Sequence, residues 1–287
     1  MDSDPAGSPD PTAPGPLTNP TLEVIARRRS TRAYAPSPIT AEEKQAIVHA
    51  ALRAPTAGGM VLYTILEIAD QATKDRLAVT CDDQPFIAKA PLVLVFLADW
   101  QKWTDLFDHC GAHEMTGVEP RRAVGPGDLL LACADALIAA HSAVIAAESL
   151  GIGSCYIGDV LENGEIHAEL LDLPPHTMPV AMVCFGRPAV AQEPIEHYGR
   201  GLVHTDRYRR MTLADRDAAA AELAALFAPH GLPPDVENYP QAVYRRKFTS
   251  AFMREMNRSA AWWLTRWSAE PETSDEPAER VSDSQVE

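Results

Sequence analysis

The chain has 287 residues, 46% of them hydrophobic, and a formal net charge of −15. That is enough apolar content for one sizeable core or two modest ones, and the acidity argues against nucleic acid and anionic membranes as general partners. Five scattered cysteines (Cys81, Cys110, Cys133, Cys155 and Cys184) show no CxxC spacing, and no signal-peptide pattern opens the chain, so a reducing, cytoplasmic setting is expected.

Residues 1–18 are mostly Pro, Ser, Asp, Gly, Ala and Thr, too poor in large apolar groups to offset ordering entropy, and read as a tail. A helix then starts at Pro20 behind an Asn19 cap, with Leu22, Ile25 and Ala26 forming an apolar stripe. It runs into Arg28-Arg29-Ser30-Thr31-Arg32. Guanidinium forks and a hydroxyl gathered just past a helix are what a dianionic phosphate needs. Cations at a helix C-terminus that merely complement the macrodipole are the other reading; it covers Arg27 to Arg29 but not Ser30 and Arg32.

Thr40-Ala41-Glu42-Glu43 is a capping box opening a second helix that must end before Pro55. Pro55-Thr56-Ala57-Gly58-Gly59 makes a loop of small residues. Val61 to Ala69 reads as a strand, and Leu92 to Ala98 has the length of a buried one. Residues 99–127, with four glycines, read as an irregular excursion of the kind that covers sites, bearing Trp100, Trp103 and Phe107. Leu129 to Leu150 is long and apolar enough for a membrane span, yet Asp135, His141, Ser142 and Glu148 interrupt it, so a buried central helix is expected instead. Gly151 to Gly158 reads as a second loop of small residues, 163–171 as a helix, and Pro179 to Phe185 as a third strand. An alanine-rich helix spans 213–227 behind Thr212. From Pro240 a longer one carries Tyr244, Phe248, Phe252, Met256, Trp263 and Trp267 at helical spacing, with Arg245, Arg246, Lys247, Arg254, Arg258 and Arg266 on its other faces. Such a helix docks on protein or lies on a membrane surface. Residues 268–287, with seven acids and one arginine, read as an acidic tail.

Three other patterns have chemistry to offer. Asp108-His109-Cys110 with His113-Glu114 has metal-ligand residue types, but Gly111 weakens the helix that would align His109 with His113. Cys155 beside Tyr156 has the makings of a nucleophile with His141 or His204 as base, or of a small buried hydrophobe. Gly151-Ile152-Gly153 lacks the third glycine of a dinucleotide fingerprint and follows a helix rather than a strand.

In order and spacing, the motifs resemble the nitroreductase family of FMN-dependent oxidoreductases over about residues 19–210. The matching pieces are Arg28 to Arg32, Ala54-Pro55-Thr56-Ala57-Gly58, Lys89-Ala90-Pro91, Glu148-Ser149-Leu150-Gly151-Ile152-Gly153, Leu173-Pro174 and Gly186-Arg187-Pro188. The resemblance implies an α+β sandwich, a mainly antiparallel sheet flanked by helices, homodimeric through the central helix. It divides the chain into a tail (1–18), an FMN-binding domain (19–210), a helical C-terminal extension (211–267) and an acidic tail (268–287). Arg28, Arg29, Ser30 and Arg32 fall where the family holds the FMN phosphate and ribityl chain; Thr56, Ala57 and Gly58 fall on the loop reaching the ribityl and ring. Tyr156, Ile157 and Gly158 lie beside the isoalloxazine, and Arg200 near a further phosphate-binding cation. Gly59 and Val61 depart from the hydrogen-bonding side chains usual there, as His141-Ser142 departs from Gln-Asn. The implied activity passes hydride from NAD(P)H by way of flavin N5 to an electron-poor small molecule such as a nitroaromatic or quinone, with no dedicated catalytic side chain and no metal. The alternative is a non-catalytic flavin-binding carrier, sensor or interaction protein.

Overall fold

The structure, a computed structural model, describes residues 19–119, 122–191, 193, 198–229 and 231–269. The expected tails, 1–18 and all of 268–287 beyond Ala269, lie outside the described residues. Helix α1 (Pro20–Arg27) starts as the sequence predicts, with the Leu22 N–H donating to Asn19 Oδ1 at 3.0 Å. Helix α2 (Ala41–Leu52) opens on the reciprocal Thr40 and Glu43 box. Strand β1 (Tyr63–Glu67) is shorter than the expected Val61–Ala69. Helices α3 (Gln71–Thr80) and α4 (Pro85–Ala88) lead to β2 (Leu92–Asp99), buried at every position.

Two expectations are corrected next. Residues 99–127 are not irregular throughout: Gln101–His109 form helix α5, on which the Trp103 and Phe107 rings meet at a tilt of 40° with centroids 5.5 Å apart. After helix α6 (Pro126–Ser149), the presumed loop at 151–158 is mainly strand β3 (Gly153–Ile157). Its small residues have low strand propensity, but pairing with the last strand supplies what propensity lacks. Helix α7 (Gly164–Leu170) and strand β4 (Thr177–Gly186) follow, then α8 (Leu213–Phe227) and α9 (Tyr239–Val243). The long helix expected from Pro240 is broken: a π-helical turn at Tyr244–Phe248 ends at Thr249, and Ser250 caps a new helix, α10 (Ala251–Trp267).

The sheet runs β1-β2-β4-β3, antiparallel throughout. Between β2 and β4 the register shifts at Phe96 and Leu97, which face Ala181 and Pro179; a bulge there suits a proline that lacks the donor a regular ladder requires. One sheet face (Val93, Val95, Cys155, Met182) packs on Leu77 and Ile87 and on Trp263 and Trp267 of α10. The other (Leu94, Phe96, Val183, Phe185) receives Ile47 of α2 and the fully buried alanines of α6, whose small size brings that helix close.

Among the described residues α6 alone is long and apolar enough to cross a membrane. Its alanine face is inside the protein, together with Asp128 and Asp135. The opposite face leaves Leu130, Leu131, Leu137 and Ile138 exposed. In the extension, Trp263 and Trp267 are fully buried and donate their indole N–H groups to Leu161 O and Gly125 O, both at 3.2 Å. Its aromatic stripe therefore docks on the chain's own core at the C-terminal end, while Tyr244 and Phe248 stay exposed.

Candidate functional site

The arginine segment leaves α1 and lies along the free edge of β3. The Thr31 N–H donates to Ser154 O at 2.9 Å, Ser30 forms a parallel bridge with Ser154, and Tyr34 bridges Pro188 beyond β4. Thr31 is buried, so the side chains flanking it point away from the sheet. Gly153 makes this approach possible, since a Cβ there would overlap the Thr31 side chain. Arg32, Ser30 and Arg28 all lie near enough to the Cys155 thiol to oppose the burial that raises its pKa. Arg29 donates instead to Glu193 O, and Arg32 also lies over the Phe86 ring at 5.9 Å.

A phosphate ester fits this donor set. Arg28, partly exposed, and Arg32, exposed, have no hydrogen-bond acceptor among the described residues. Both guanidinium groups are thus free to meet an anion, and charge-assisted hydrogen bonds to it are stronger than neutral ones. With Lys89, Arg32 lines an open cleft of about 750 Å³ walled by Pro36, Pro85 and Phe86. Cys155 is not a thiolate here: burial raises its pKa, against the lowering by Arg32, Ser30 and Arg28.

The loop at Thr56 to Val61 is held from three directions. The carboxylate of Asp135, only 2% exposed in the middle of α6, accepts the Ala57 N–H at 2.9 Å and the Leu62 N–H at 3.0 Å. Trp103 Nε1 donates to Met60 O at 2.8 Å, and the Val61 N–H donates to Thr56 Oγ1 at 3.3 Å. So held, the backbone takes positive φ at Gly58 (57°), Gly59 (71°) and Val61 (52°). The last is an outlier for a β-branched residue. Trp103 is thus a prop under this loop rather than part of a loose cover. Sequence reasoning missed Asp135; the only signal was a charge inside an apolar run.

At the far end of β3, Tyr156 is partly exposed beside Arg28, Ile157 turns its side chain into the core, and Gly158 opens a 3₁₀ turn over Gly158–Leu161. Of the latter two only Gly158 is exposed, and Ile157 is buried throughout. Arg200 pairs with Glu222 of α8 at 3.0 Å.

The structure brings Arg28, Ser30, Arg32 and Tyr156 together but sets the Thr56 loop apart. β1, which the loop feeds, and β3 are opposite edges of the sheet, about 14 Å apart at the usual strand spacing. Along α6 the loop is tied to Asp135, whereas Arg27 donates to Glu148 O at 3.4 Å, thirteen residues on and about 20 Å away at helical rise.

A sequence profile of the nitroreductase family matches residues 25–187. The chain is 30% identical over 199 residues to an NADPH-dependent FMN reductase of Bacillus subtilis, covering 67% of this chain and 78% of that protein. It is 32% identical over 171 residues to an oxygen-insensitive NADPH nitroreductase of Salmonella typhimurium, covering 60% and 67%. Its fold matches the NADPH:FMN oxidoreductase of Vibrio harveyi complexed with NAD+ at a TM-score of 0.69 and 24% identity, over 84% of this chain and 98% of that one.

Proposed function

The chain belongs to the nitroreductase family, and from that premise we propose that it is an FMN-dependent NAD(P)H oxidoreductase that reduces small electron-poor acceptors, nitroaromatics or quinones, as a cytoplasmic homodimer. The observation that carries this reading is the Arg28 to Arg32 segment lying along the free edge of β3, with Arg32 and Lys89 lining the open cleft. Arg28, Ser30 and Arg32 would hold the FMN phosphate. Bound there, FMN would supply the two-electron redox centre that the protein side chains do not possess.

The protein's own tasks are binding, orientation and exclusion of water. Arg28 and Arg32 would neutralise the phosphate with forked guanidinium donors. The backbone at Tyr156, Ile157 and Gly158, with Thr56, Ala57 and Gly58, flanks the ring. The Thr56 loop is too far from its own arginine segment to share one cofactor with it, which supports a second copy contributing that loop. The exposed Leu130, Leu131, Leu137 and Ile138 on α6 offer the apolar contact for such a pair. With no titratable side chain needed at the reacting atoms, acceptor choice rests on the shape of the groove.

The test is direct. Purified protein, loaded with FMN, is expected to release FMN on denaturation, to oxidise NAD(P)H in the presence of a quinone or nitroarene, and to sediment as a dimer. Failure to bind FMN, or binding without turnover of NAD(P)H, refutes the enzymatic reading.

A further inference from the structure

Asp135 is an unusual residue for its place. It sits on the sheet-facing side of a helix whose neighbouring inward positions, Ala132, Ala136 and Ala139, are fully buried alanines. Burying a carboxylate is expensive unless every lone pair is used. Here both oxygens are engaged by backbone N–H groups at the two ends of a single loop, Ala57 at one and Leu62 at the other. Burial lowers the pKa of Lys102 on α5, with Asp99 and then Asp135 opposing, and its ammonium donates to Tyr63 O at 2.6 Å. The loop between the two anchored amides is the stretch with left-handed backbone at Gly58, Gly59 and Val61. A β-branched residue does not settle at φ 52° unless its neighbours are pinned.

We propose that Asp135 is a positioning residue for the flavin ring: by clamping both ends of the Thr56–Val61 loop it fixes the left-handed backbone that the loop presents to the cofactor. The proposal rests on the placement of that loop against FMN given above. Asp135 touches neither cofactor nor substrate and acts only through the loop. Because the loop serves the site whose arginines belong to the other copy, the clamp in one subunit sets the ring environment of its partner. Gly59 and Val61 have no polar side chain, so the backbone groups that Asp135 orients are the loop's polar offering. A Cβ at Gly59 would meet nothing within 4 Å, which leaves that backbone open to a ligand rather than packed.

Three variants of the full chain test this: Asp135→Asn, Ala57→Pro and Arg32→Ala. Asparagine is nearly isosteric but turns one acceptor into a donor facing an N–H. Proline at 57 deletes one of the clamped N–H groups and leaves the carboxylate in place; Thr56 is already extended at φ −134°, as a residue before proline must be. In the apo-protein, Asp135→Asn is expected to speed hydrogen exchange at the Ala57 and Leu62 amides. In the loaded protein it is expected to shift the flavin's midpoint potential and to lower FMN affinity about tenfold, the scale of one charge-assisted hydrogen bond. Ala57→Pro is expected to shift the potential in the same direction, and it decides the matter alone if Asp135→Asn does not fold. A lower melting temperature with wild-type loop exchange, affinity and potential overturns the proposal and leaves Asp135 a purely structural residue. Arg32→Ala separates the two layers of inference. If it weakens FMN binding while the Asp135 and Ala57 variants leave the flavin unchanged, only the clamp fails. If Arg32→Ala also leaves FMN affinity unchanged, the site itself is misplaced.

Discussion

The close approach of Gly153 to Thr31 allows the position of the arginine segment to be tested without touching an arginine. A methyl group at 153 would overlap Thr31 Oγ1 and come within 2.8 Å of Thr31 Cβ, against the roughly 3.5 Å that carbon atoms prefer. Gly153 has no positive φ, so Gly153→Ala acts through space alone. Thr31 is 1% exposed and cannot swing aside; the segment must lift from the β3 edge by something approaching an ångström. Overpacking of this kind costs about 1–3 kcal/mol of stability. The lift carries Ser30 and Arg32 with it and stretches the 2.9 Å bond from the Thr31 N–H to Ser154 O. Losing one charge-assisted contact to the phosphate costs about 1.5–3 kcal/mol, or roughly tenfold to a hundredfold in affinity. The assay is fluorescence titration of apo-protein with FMN alongside thermal unfolding. Adding Thr31→Ala, which clears Oγ1 but not Cβ, is expected to restore part of both quantities, giving a coupling typical of touching residues. A variant that loses stability yet binds FMN as tightly as wild type would refute the argument, since the segment's position would then not govern phosphate binding.

Replacing Gly59 by Asn together with Val61 by Gln is expected to tighten FMN binding, because Asn tolerates left-handed backbone, Gln removes the β-branch, and each neutral hydrogen bond gained contributes about 0.5–1.5 kcal/mol; several-fold weaker binding in an FMN titration would show that the small residues are needed for close approach. Trp263→Ala should lower stability by about 3–5 kcal/mol, since a fully buried indole and its bond to Leu161 O are both lost; urea unfolding with an unchanged midpoint would mean α10 is not part of the core. Glu162, 5% exposed, has its pKa pushed up to about 7, chiefly by burial and further by Asp159, Asp82 and Glu255, with Lys247 opposing. The folded state therefore holds this proton more tightly than the unfolded one, and the resulting stabilisation, complete below the ordinary carboxylate range, is lost as pH rises to about 7. Unfolding measured from pH 4 to 8 should show that decline in the wild type and a shallower one in Glu162→Gln.

Much of the local structure was legible because it is written in short-range chemistry. Asn19, Thr40 and Thr212 each cap a helix as expected, since a cap involves only residues a few positions apart. The arginine segment was legible for the same reason, being contiguous. Strand β3 was not, because Gly153 and Ser154 carry loop-like propensities and owe their extended form to β4, some thirty residues later. Nor was the loop's anchor: Asp135 lies 78 residues from Ala57 and 73 from Leu62, and a lone acid in an apolar run reads only as an interruption. That the two halves of the expected site lie far apart in one chain depends on strand order, which periodicity does not encode.

The indoles of α10 also bear on how the chain is made. Trp267 closes a contact with Gly125 across 142 residues, and Trp263 fills the sheet face that β2, β3 and β4 build. As the chain leaves the ribosome, all four strands emerge well before either indole, so the sheet is complete while one of its faces is still bare. Contacts of such long sequence separation form late, and a nascent chain with an uncovered apolar face is exposed to aggregation until they do. Synthesis that stalls between β4 and α10 would leave that face waiting for two tryptophans not yet translated, the point at which a chaperone would be most needed.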